Sequence, residues 1–127
     1  MNDVELRVRF EDCTLPPERF PHREHVRLAW LYLRELPPAE ALVRFTTGLR
    51  RYAASLGHAG KYHETISWAF MALINERMER AGRDLPFERF EEACPELFDP
   101  ALLRRYYADG TLGSDLARRV FLLPDRL

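Results

Sequence analysis

Three observations predict an all-α fold. Apolar residues recur at three- and four-residue steps over residues 22–36, 38–56 and 62–81. Proline or glycine bounds these stretches, at Pro21, Pro37-Pro38, Gly57 and Gly82. The links between them are short, and short links make helices antiparallel neighbours. The expected architecture is an up-down-up helical bundle with additional short C-terminal helices and a minor N-terminal strand, forming a single domain over residues 1–127.

At the N-terminus, Val4, Leu6, Val8 and Phe10 alternate with Glu5, Arg7 and Arg9. A period of two predicts a short strand with one buried face. It would belong to an extended N-terminal arm, residues 1–20, packed on the bundle. Such a strand could pair with its copy in a homodimer, or with the apolar tail Val120-Phe121-Leu122-Leu123. Thr14-Leu15-Pro16-Pro17 then breaks regular structure.

The first long helix begins at Pro21 or His22 and runs to Glu35, since proline is tolerated in a first turn. Its stripe is His22, His25, Ala29, Tyr32 or Leu33, and Leu36. The second starts near Pro38 and carries Leu42, Phe45, Leu49, Ala53 and Leu56, with Gly57 closing it. The third runs from about Tyr62 to Ala81 with His63, Ile66 or Ser67, Phe70, Ile74 and Met78. Asp84-Leu85-Pro86 starts a short helix through Cys94. Asp99-Pro100 starts another through Tyr107. Asp109-Gly110 is a turn, and Ser114 caps a last helix to about Arg119.

Composition narrows the function classes. The chain is 46% hydrophobic and 12% aromatic, which fits a globular core and excludes disorder. A net charge of −1 gives no overall field for nucleic acid or anionic lipid. No apolar run approaches the ~18 residues of a membrane span. Cys13 and Cys94 form no C-x-x-C pair. The first residues lack the basic and apolar regions of a signal peptide. The expectation is a soluble cytoplasmic protein with reduced thiols, no nucleic-acid or membrane partner, and a small-molecule substrate.

All histidines fall in two clusters: His22 and His25, then His58 and His63. In an up-down-up bundle the first and third helices start at one end, so His22, His25 and His63 would converge. His22 and His25, three apart on one helix, can face one ion. His63 would add a third nitrogen, and three protein ligands with an open position suit a catalytic metal. Glu11, arriving just before the first helix, would be a fourth ligand. Glu64 would act as catalytic base or as a partner of the ligands. The donor set suits a divalent transition metal, zinc, iron, nickel or copper, in metal-assisted hydrolysis or oxidation. Two alternatives stand beside this one. The pocket could be metal-free, binding an anion through the histidines with Arg23 and Lys61 or using a histidine–carboxylate pair. Or the chain could be an interaction module that dimerises through Val4–Phe10, with structural histidines.

Phe10-Glu11, Thr14-Leu15-Pro16, Phe20-x-His22-x-x-His25 and Lys61-Tyr62-His63-Glu64-Thr65 together resemble a family of small bacterial helical proteins without an established activity. That pattern has a glutamate and a Leu-Pro step before an aromatic-x-H-x-x-H helix, with Tyr-His-Glu-Thr on a later helix. The tail Tyr106-Tyr107, Leu112-x-Ser114, Ala117-Arg118-Arg119 and Pro124-Asp125 is similar to the same group. The resemblance implies that Glu11, His22, His25, His63 and Glu64 act together. A looser likeness exists to four-helix proteins with a three-histidine metal centre, whose spacing differs.

Overall fold

The computed structural model describes residues 1–126, and no strand occurs among them. Seven α-helices follow in order: α1 Asp3–Glu11, α2 His22–Glu35, α3 Pro38–Ser55, α4 Glu64–Ala81, α5 Phe87–Ala93, α6 Asp109–Leu112 and α7 Asp115–Arg119. Single turns of tighter helix occupy Pro17–Arg19, Ala59–Lys61, Pro95–Phe98 and Leu102–Arg105.

The three long helices fall where the sequence periodicity puts them. Each of α2, α3 and α4 packs against the other two. Around them lie α1, α5 and the C-terminal segments. None of the helices is long and apolar enough to cross a membrane.

The expected N-terminal strand is instead α1, and residues 1–20 are not an extended arm. The reason lies in which apolar residues face inward. Leu6 and Phe10 are fully buried, while Val4 and Val8 are 71% and 53% exposed. A spacing of four between buried residues is helical, and the apparent alternation was produced by two solvent-facing valines. Asn2 supplies the cap by accepting the Glu5 N–H at 2.9 Å. Residues 3–11 therefore offer no strand edge to a second copy or to the tail.

Phe10 is the keystone of the aromatic core. Its ring lies 5.6 Å from that of Phe20, 5.8 Å from Tyr52, 6.1 Å from Phe45 and 6.5 Å from Tyr32. These separations suit tilted and edge-on aromatic packing. The ring can approach α3 this closely only because residue 48 is glycine. A Cβ there would stand 2.5 Å from the Phe10 ring.

The segments outside the long helices are irregular, and side chains tie them down. The Tyr52 hydroxyl donates to the Leu15 carbonyl at 2.7 Å. The fully buried Thr65 hydroxyl donates to the Val120 carbonyl at 2.9 Å and accepts the Leu122 N–H at 3.1 Å. The Tyr107 hydroxyl donates to the Leu122 carbonyl at 2.7 Å. Trp68 stacks on Phe121 with ring centroids 5.2 Å apart. The apolar tail thus packs on α4.

Gly48→Ala should destabilise the protein by about 1–3 kcal/mol through overpacking, although alanine is the better helix former. Urea unfolding would measure this. Phe10→Leu in the same chain should recover part of the loss, so that the two changes are non-additive.

Candidate functional site

α2 opens on Pro21, whose extended backbone leads straight into the helix. The first turn then carries His22 and His25 on the same face. The His22 ring packs edge-on against Phe70 of α4, with centroids 5.0 Å apart. Its Nε2 lies 2.9 Å from the Leu97 carbonyl oxygen. A carbonyl can only accept, so this nitrogen carries the proton and donates. The His25 ring stacks on Phe20, 3.8 Å between centroids and 14° between planes. Burial, and next the neighbouring His22 ring, pull the His25 pKa down to about 4, while the Phe20 backbone acts in the opposite sense. At neutral pH His25 is therefore an uncharged imidazole.

Both histidines line a cavity of about 220 Å³ bounded by the first half of α2, Phe45 and Leu49 of α3, and the first half of α4. Pro100 contributes from the C-terminal region. Among the described residues no Asp, Glu, Lys or Arg contributes to this wall, and the polar side chains in it are His22, His25 and Ser67. Space remains because Ala29 and Ser67 are small residues at positions facing the cavity.

The other expected site residues stand apart from this cavity. His63 is the N-cap of α4 rather than a residue of its first turn. Its Nδ1 accepts the Ile66 N–H at 3.1 Å, and its Nε2 donates to the Leu112 carbonyl at 2.7 Å. Both ring nitrogens are engaged, so no lone pair is left for a ligand. His63 lines a neighbouring groove with Arg104, Asp109 and Arg118. Glu11 ends α1 exposed, in a separate shallow groove with Tyr32 and Arg44. There its charge adds to burial in raising the Tyr32 hydroxyl above its ordinary pKa.

Glu64 is held by two partners. The Tyr62 hydroxyl donates to one carboxylate oxygen and Arg50 to the other, each at 2.6 Å. The Arg50 guanidinium also lies 4.8 Å over the Tyr62 ring. Arg23 is committed to Glu91 and Glu24, and His58 and Lys61 are exposed. Among the described residues no group of three or more His, Cys, Asp or Glu side chains is placed to hold a metal ion. The structure thus brings His22 and His25 together and leaves His63, Glu11 and Glu64 elsewhere.

Sequence reasoning read Phe45 and Phe70 as core and did not foresee the void between them. The available signal was the pair of small residues on two stripes. The participation of Leu97 and Pro100 carries no periodic signal, because Leu97 lies in a single tight turn and Pro100 in irregular chain.

No family model matches the chain, and no curated protein or solved structure is similar to it. The likeness to the aromatic-x-H-x-x-H family therefore rests on the motifs alone.

Two measurements follow from this geometry. His63→Ala should cost about 1–2 kcal/mol in chemical denaturation, because it removes a helix cap and a partly buried hydrogen bond. His63→Asp should recover part of that loss by restoring the cap. The second concerns pH. With the folded-state pKa of His25 at about 4 and its ordinary value at 6.5, the unfolded chain binds the extra proton between these values. Stability should then fall by about 2 kcal/mol from pH 7 to pH 5, before most carboxylates titrate. In His25→Gln this portion of the pH slope should vanish.

Proposed function

We propose that the chain binds a small, mainly apolar molecule in the cavity between α2, α3 and α4. One observation carries this reading: a space of about 220 Å³, walled by apolar side chains, free of charged ones and furnished with two imidazoles. A few convergent polar groups in an apolar concavity are the usual make-up of a ligand site. An apolar cavity of about 150 Å³ accepts benzene, so this one suits a single substituted ring or a short branched chain. An up-down-up course of the long helices is compatible with this, since the first half of α2, the middle of α3 and the first part of α4 share the cavity.

Any chemistry here would fall to His25, whose neutral ring can take a proton from a bound hydroxyl or amine. A metal-dependent reading keeps His22 and His25 as ligands and needs further donors from water or substrate. A metal held in that way would be zinc, iron, nickel or copper, as the sequence suggests.

Toluene tests the reading. At about ten times its Kd it should stabilise the protein by about 1.4 kcal/mol in thermal melts. Leu49→Trp, which directs a larger ring into the void, should abolish the effect without unfolding the chain. Toluene that neither shifts the melt nor perturbs the NMR signals of the cavity methyl groups refutes the reading. Stoichiometric zinc lost in His22→Gln would favour the metal centre instead.

A further inference from the structure

The polar atoms of the cavity wall share one property that narrows the ligand class. The His22 Nε2–H donates to the Leu97 carbonyl, so Nδ1 of the neutral ring is a lone-pair acceptor. The Ser67 hydroxyl donates to the His63 carbonyl at 2.8 Å, which leaves its oxygen to accept. The His25 ring stacks flat on Phe20 and forms no side-chain hydrogen bond among the described residues. An uncharged imidazole has one nitrogen that accepts, and the backbone of Phe20 is the polar group that draws its N–H. None of these imidazole or hydroxyl atoms is both sealed from solvent and unpartnered, since Arg7 Nε alone has that status among the described residues. Ser67 Oγ is already partnered, and the unpartnered imidazole nitrogens of the half-buried His22 and His25 keep access to solvent or to a ligand.

Resting on the ligand-site reading above, we infer that the cavity selects a neutral aromatic hydrogen-bond donor, a phenol- or indole-type molecule, over a carboxylate of the same size. The donor would pair with acceptors set in an otherwise apolar wall. A carboxylate brings only acceptors, and the wall holds no cationic side chain to receive it. The flanking rings of Phe45 and Phe70 favour a flat aromatic body over an aliphatic one.

Three para-substituted toluenes decide the matter: p-xylene, p-cresol and the slightly larger p-toluate, titrated at pH 7.5 by NMR. p-Cresol should bind about tenfold tighter than p-xylene, the worth of one to two hydrogen bonds. p-Toluate should bind more weakly than either. His25→Leu and Ser67→Ala should reduce the p-cresol preference while leaving p-xylene affinity within about twofold, as expected where only a polar contact is lost. Equal binding of p-cresol and p-xylene, or tightest binding of p-toluate, overturns the donor rule and leaves the ligand site standing. Binding of none of the three removes the ligand site itself. Zinc that binds stoichiometrically and displaces p-cresol overturns the inference by assigning the same nitrogens to a metal.

Discussion

Irregular chain packed against a helical core carries backbone carbonyls that helices and strands would otherwise satisfy. Leaving one buried without a donor costs about 1–3 kcal/mol. This chain meets the constraint with side chains projecting from its long helices. His22 serves Leu97, Tyr52 serves Leu15, His63 serves Leu112 and Thr65 serves Val120. Among the described residues the C-terminal third contains no helix longer than five residues after α5, yet it packs closely through such contacts. Two of the three histidines that look like ligands in sequence are first of all donors to carbonyls.

That use of the imidazoles shapes the cavity as well as the fold. A neutral imidazole has one proton to give. Once Nε2 of His22 is committed to Leu97, the chemistry of Nδ1 is settled. His63 goes further, because its second nitrogen caps α4. The difference between the two rings is one hydrogen bond, and it separates a ring with an accepting face from one with none. His25 differs again: it stacks on Phe20 and lies beside His22, so its protonated form is disfavoured by burial and then by the neighbouring ring.

The parts of this fold legible in the sequence are those governed by periodicity. The ends of α2, α3 and α4 fall within two residues of where apolar stripes, prolines and glycines mark them. The α1 segment was misread because Val4 and Val8 complete a pattern that Leu6 and Phe10 alone specify. Periodicity cannot tell a buried valine from an exposed one, and a nine-residue segment is too short for the two periods to separate cleanly. The glycine at position 48 held the missing clue, since a mid-helix glycine marks a close approach by something large. The pairing of His22 with His25 was legible from their spacing. The diversion of His63, Glu11 and Glu64 was not, for their neighbours Leu112, Tyr32 and Arg50 lie on elements whose approach no local pattern encodes.

The cavity persists for the same reason that the histidines can line it. Ala29 and Ser67 hold positions where leucine or isoleucine would continue the stripes. Small residues there forgo the dispersion contacts and apolar burial that larger ones would contribute. Elsewhere the core is filled to zero exposure by Leu6, Phe10, Leu28, Met78, Phe90 and Leu97. The molecule can therefore bury large side chains completely, and it still leaves space where two imidazoles meet three helices. A void of that kind weakens the unoccupied fold, and an occupant that restores the missing contacts would stabilise it by mass action. Packing and hydrogen bonding thus point to one location, the wall shared by His22, His25, Ala29 and Ser67.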